Sequence, residues 1–250
     1  MRANRHFQIA VMVATVLFFV LSQASAEDPP EQERLYTEGG CVELMESTAR
    51  VPQTGQVLCY EYNEVEEKWV AIDCPEPGTT GQDGELLKGV EWSAADRFTV
   101  NLNADGTPDG TVKDNLTGLV WLQVANCIAT QYPEFDTDGS VGDGAVTWQN
   151  ALNFVANIND GTYPDCGAGY FNWRLPNVRE LQSLVDYGES KPALPAGHPF
   201  SEVQSSYYWS STTSALYPDS AWGVAMRYGG VYNVTKDSHT QVWPVRSDND

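Results

Sequence analysis

Three groups of residues in this 250-residue chain have types and spacings that could do chemistry. The first is a pair of Asp/Asn/Gly runs. Asn101, Asn103, Asp105 and Gly106, with Asp109 beyond, follow the opening of an oxygen-ligand calcium loop. The glutamate such a loop needs at its twelfth position is replaced by Val112. Asp136, Asp138 and Asp143 form a sparser second cluster. Short Asp/Gly runs are also ordinary turn composition, so no metal ligand is assigned and calcium is retained only as a cofactor to test. The second group is the histidines beyond the first residues, His198 and His239. A nucleophile triad needs one of them beside a serine and an acid, but no nucleophile-elbow or zinc-hydrolase pattern is present. No catalytic residue is assigned, and an undetected hydrolase stays as an alternative. The third group is aromatic. Tyr207, Tyr208, Trp209, Tyr217, Trp222, Tyr228, Tyr232 and Trp243 fall in the last 44 residues. Ring faces stack on sugars, and Ser210, Ser211, Thr212 and Thr213 could bond hydroxyls. Large rings also fill the cores of β-rich domains. Trp222 is assigned to the core; Tyr207, Tyr217 and Tyr232 are the candidate ligand surface.

Composition bounds the setting. Arg2, Arg5 and His6 precede an apolar run over 7–21 and a small-x-small site at Ala24-Ser25-Ala26, the pattern of an export signal. The run is too short for a membrane span, and no other segment is apolar enough to cross a bilayer. With two arginines removed, the net charge goes from −20 to −22. Such a field repels nucleic acid and anionic membrane surfaces. Cys41, Cys59, Cys74, Cys127 and Cys166 lack the close ligand pairs of a zinc site, and bridge in an oxidising compartment. The favoured pairing is Cys59–Cys74 across a local hairpin and Cys127–Cys166 within the main domain. The sequence leaves other pairings open, and Cys41 would be free or join a partner.

The elements that must position these groups follow from local patterns. Residues 27–38 are an acidic, Pro-containing lead. Residues 57–62 and 68–72 read as a hairpin, and 75–84 as a turn-rich linker. The main domain begins near residue 84. Strands are expected at 97–101, 110–114 and 119–123. Thr147 starts a helix of about 13 residues with an apolar stripe of Trp148, Ala151, Leu152, Val155 and Ile158. The stretch 173–188, WRLPNVRELQSLVDYG, encodes a second helix. Pro176 keeps Leu175 extended. Asn177 is an N-cap and Glu180 completes a capping box. Val178, Leu181, Leu184 and Val185 form the apolar stripe, and Gly188 is read as a left-handed stop. Arg174 and Arg179 are read as a solvated face or a salt bridge. Residues 221–228 alternate as a strand, Gly229-Gly230 is a tight turn, and 231–236 returns. Residues 241–246 close the domain; because Pro244 lacks a donor, that strand lies at an edge or the proline faces outward.

In this order the motifs resemble the C-terminal module of the Legionella collagen-like adhesins. The residues that carry the resemblance are 106–122 (GTPDGTVKDNLTGLVWL), Trp148 with Ala151, 173–188, Gly197-His198-Pro199-Phe200, 208–213 (YWSSTT) and 242–246. Residues 51–59 and 80–91 are similar to the lead-in often found before this module. More distantly, the order resembles the C-type-lectin-like fold, including the formylglycine-generating enzymes. That resemblance implies an α+β fold, with two helices packed on a small antiparallel sheet with long loops. The Glu-Pro-Asn or Gln-Pro-Asp and Trp-Asn-Asp tripeptides of calcium-dependent sugar-binding lectins are absent. So are the C-terminal cysteines of the formylglycine-generating enzymes.

The expected organisation is a signal peptide over 1–26, a lead, clasped hairpin and linker over 27–83, and a C-type-lectin-like domain over 84–250. The expected activity is adhesion or recognition of an extracellular glycan or envelope polymer, in the periplasm or outside the cell, without catalysis. Structural assembly with another envelope protein is the alternative. Some relatives in the resembled family bind sulfated glycans; the acidity of this chain opposes that ligand.

Overall fold

The computed structural model describes residues 51–75, 80–136, 140 and 142–248. The expected export signal, the acidic lead, Cys41 and Asp138 lie outside the described residues. Among the described residues the fold is mixed α+β, with short helices and three small antiparallel sheets.

The chain enters through the hairpin of β1 (Leu58–Asn63) and β2 (Lys68–Asp73). Its four-residue turn is held by Asn63, whose side-chain oxygen accepts from Val65 N and Glu66 N at 2.9 and 3.0 Å. The Cys59–Cys74 disulfide closes the open end. Two one-turn helices follow, α1 (Asp83–Leu86) and α2 (Ala94–Arg97). The main sheet is then laid down by β3 (Phe98–Leu102), β4 (Pro108–Asp114) and β5 (Leu119–Leu122). Next come α3 (Cys127–Gln131) and α4 (Trp148–Asn159). Thr147 caps α4 through its hydroxyl, which accepts from Asn150 N at 3.4 Å. The Cys127–Cys166 disulfide ties α3 to the short turn Pro164–Cys166. These are the two pairings the spacing favours.

The second motif helix, α5, spans Val178–Ser183. Its capping box forms as expected: Asn177 accepts from Arg179 N and Glu180 N, and Glu180 accepts from Asn177 N. Its end differs from the expectation. The helix stops at Ser183, and Gly188 is not left-handed. Gly188 serves close approach instead. A Cβ there would sit 2.6 Å from the Gly55 carbonyl oxygen, so only glycine admits the lead-in backbone at this point.

The third sheet holds β6 (Tyr207–Thr213), β7 (Ser220–Ala225) and β8 (Gly230–Thr235), in that order. The alternation read over 221–228 ends at Ala225, because 226–229 form the turn. The last strand, β9 (Val245–Ser247), is shorter than the 241–246 pattern. Pro244 lacks a donor and interrupts it. β9 lies at the edge of the main sheet, whose order is β3-β4-β5-β9. Arg174 covers part of its outer side by exchanging backbone bonds with Val245, both 2.9 Å. The sequence reading placed both helices on one sheet. Two sheets are present in the main domain because the chain leaves β5 for the helices and returns to that sheet only through β9.

An aromatic chain joins the sheets. Phe98 meets Phe200 at 5.0 Å between ring centroids, Phe200 meets Trp243 at 4.9 Å, and Trp243 meets both Trp121 and Tyr208. Trp121, Trp209 and Trp243 are fully buried. The indole N–H of Trp209 donates to Val146 O, and that of Trp243 to Leu122 O. The rings thus contribute apolar burial without leaving those donors unpaired. No helix among the described residues is long and apolar enough to cross a membrane.

Candidate ligand surface

The two most recognisable motifs build one scaffold. Ser211 N donates to Pro176 O at 2.8 Å, and the Thr212 hydroxyl accepts from Val178 N at 3.1 Å. The latter is one of the donors a helix start leaves unpaired. Ser210 Oγ donates to Trp222 O, and Ser211 Oγ to Pro176 O at 3.2 Å. Three of the four hydroxyls read as sugar-binding candidates are thus engaged in holding β6 to β7 and to α5. Arg174 forms a two-pronged salt bridge with Glu180, at 2.7 and 2.8 Å. A shallow cleft of about 570 Å³ lies beside that pair, floored by Leu152, Val155 and Leu175.

The sheet so fixed presents two of the three candidate tyrosines together. Tyr207 pairs through Ala225 with Gly230, and Tyr232 sits across from Gly223. These positions share a face, because directly opposed residues project to the same side. The two rings meet edge to face, with centroids 5.6 Å apart. They remain 39% and 49% exposed. Gly230 leaves the space for this arrangement. A Cβ at that position would approach the Tyr232 ring to 2.5 Å. Tyr217 is also exposed, but it lies on the loop joining β6 to β7, past the end of β6 opposite Tyr207. Trp222 is only partly buried and its face also carries exposed Asn233. The deeper rings of β6, Tyr208 and Trp209, are fully buried. Burial pushes the Tyr208 hydroxyl far above its ordinary pKa.

The other chemical groups are placed as follows. Asp105 accepts from Thr107 N and Oγ1, and Asp109 from Thr111 N and Oγ1. Asn101 donates to the Thr111 hydroxyl. The first Asp/Asn loop is therefore laced to its own hairpin. The threonine bonds hold the Asp105 carboxyl below the usual range. In the second cluster, buried Asp136 accepts from Gly144 N, while Asn126 and Gln241 donate to Asp143 O. One peptide plane is thus gripped from opposite sides. His198 is half-buried, its ring lies 5.9 Å from Phe200, and burial lowers its pKa. Its Nδ1 meets no partner among the described residues. His239 is exposed.

Sequence reasoning missed a second aromatic surface. Leu58, Tyr60, Tyr62 and Trp69 are all exposed on one face of the first hairpin. The period-two spacing of Leu58, Tyr60 and Tyr62 was the available signal.

The model of the Lcl C-terminal domain family matches residues 110–246, more than half of the chain. No curated protein matches it. The matched span runs from within β4 to β9 and takes in both cooperating motifs and the Tyr207–Tyr232 pair. The chain belongs to the Lcl C-terminal domain family.

Proposed function

We propose that this protein is an exported, non-catalytic binding module of C-type-lectin-like type, which recognises an extracellular glycan or envelope polymer. The family is associated with adhesins, which supports a recognition role. The observation that carries the reading is the exposed Tyr207–Tyr232 pair, held by a sheet whose neighbouring rings are buried. Two rigid ring faces at an angle suit the apolar face and edge of a sugar, at little cost in side-chain entropy. Two disulfides support an oxidising compartment. The organisation that goes with this reading is a leader over 1–26, a lead and clasped hairpin over 27–83, and the binding domain from 84. Uncharged glycans suit this acidic chain better than sulfated ones, since the net charge is −20.

A glycan array probed with and without calcium tests the proposal. Retention of uncharged saccharides under both conditions is expected. Absence of glycan binding, with a single envelope protein co-purifying, would transfer the function to envelope assembly. The exposed aromatic face of the first hairpin is the observation that favours that second reading.

A further inference from the structure

The first hairpin has one edge closed and, among the described residues, one edge open. Tyr60 N donates to Gln82 Oε1, and Gln82 Nε2 donates to Tyr60 O, both at 2.8 Å. The Gln82 amide thus stands in for a neighbouring strand along β1. Since Tyr60 points both backbone groups away from β2, the Tyr60–Ala71 pair is not hydrogen-bonded across the hairpin. By the two-residue period, the same holds for Tyr62–Trp69. The N–H and C=O of Trp69 and Ala71 therefore face outward from β2, and no described residue meets them. The side chains beside this edge are apolar and open. Trp69 is 66% exposed, packs edge-on against Tyr62 at 5.7 Å, and is joined by exposed Tyr60 and Leu58. The rim is acidic. Glu61, Glu64, Glu66, Glu67 and Asp73 are exposed, and the lone cation, Lys68, is paired with Glu66 at 2.7 Å.

Exposed edges of this kind are ordinarily blunted by lysine or proline. Here β2 carries no proline, and its one lysine, Lys68, stands at the first residue and is paired with Glu66, while the opposite edge is covered and the open end is locked by a disulfide. We propose that β2 is a docking edge for an extended cationic segment of another protein, which adds as a third strand. Its backbone bonds to Trp69 and Ala71, its apolar side chains cover Trp69 and Tyr62, and its lysines or arginines meet the acidic rim. The acidic rim repels a second copy of the same hairpin, which makes a partner of opposite charge the better occupant. This surface is separate from the Tyr207–Tyr232 face, so either proposal can fail without the other.

A labelled synthetic peptide alternating lysine and valine is the probe, titrated with the full chain by fluorescence anisotropy. Saturable, salt-weakened binding is expected. Ala71→Pro should weaken it about tenfold or more, because proline removes an outward donor and is tolerated where the N–H faces solvent. Trp69→Ala should weaken it as well. The same peptide methylated on alternate backbone nitrogens, and a glutamate-for-lysine version, should not bind; these two controls leave the protein untouched. No saturable binding by the lysine peptide would overturn the proposal, as would equal binding by the methylated peptide. Sedimentation showing an Ala71-dependent dimer without peptide affinity would likewise overturn it and give the edge to a second copy.

Discussion

At the residue scale, Asp186 joins the lead-in to the family domain. It is buried, accepts from Gly188 N at 2.7 Å, and lies where the Gly55 backbone passes. Desolvation raises its pKa, with Glu189 adding to the rise; the Gly188 bond and Arg97 act against it. A carboxyl whose folded pKa lies above its unfolded value binds more protons when folded, so stability falls as pH rises through that window. The window opens near the ordinary aspartate value of about 4 and extends upward. Asp186→Asn should therefore gain melting temperature over the parent as pH rises from below that value towards neutrality. Scanning calorimetry at the two ends checks this; an unchanged difference would show that folding does not raise the Asp186 pKa.

At the element scale, what could be read from the sequence was what is decided locally. The start of α5 was legible because Asn177, Glu180 and the neighbouring backbone satisfy one another within a single turn. Its end was not, because the approach of Gly55 to Gly188 is a tertiary contact. The strands around the 115–118 turn were legible by turn chemistry, and both disulfide pairs by spacing and context. The division into separate sheets was not, since it depends on the chain leaving β5 for the helices and on Pro244 breaking the closing run before β9. Tyr207 and Tyr232 were singled out as individual rings. Their meeting depends on strand register and on the room left by Gly230. The local logic has a measurable consequence. Asn177→Ala should lower stability by about 1 kcal/mol in urea unfolding. A neutral outcome would mean that Thr212 and the packing of Ser211 on Pro176 suffice to fix the helix start.

At the scale of the molecule, the cooperative unit extends beyond the family match. Arg97 precedes the matched span and forms a fully buried pair with Asp114 inside it, at 3.1 Å. Arg97 also donates to Ser183 O at the end of α5 and lies 5.0 Å from the Trp92 ring centre and 4.9 Å from that of Phe98. Asp114 in turn accepts from Leu116 N and the Thr117 hydroxyl. Arg97→Met should therefore cost about 3–5 kcal/mol, by stranding a buried carboxylate. Arg97→Met combined with Asp114→Leu should recover part of that loss. Denaturant midpoints check both, and a mild single-variant effect would mean that the lead-in is only loosely coupled to the matched domain.

The recognition account turns on where ligand binds. The decisive measurement is calorimetric titration of an array-identified saccharide against the parent chain, Tyr232→Ala and Tyr217→Ala. Loss of about tenfold or more in affinity for Tyr232→Ala, worth about 1.4 kcal/mol, with Tyr217→Ala unchanged, is the predicted result. Undiminished binding by Tyr232→Ala would contradict it.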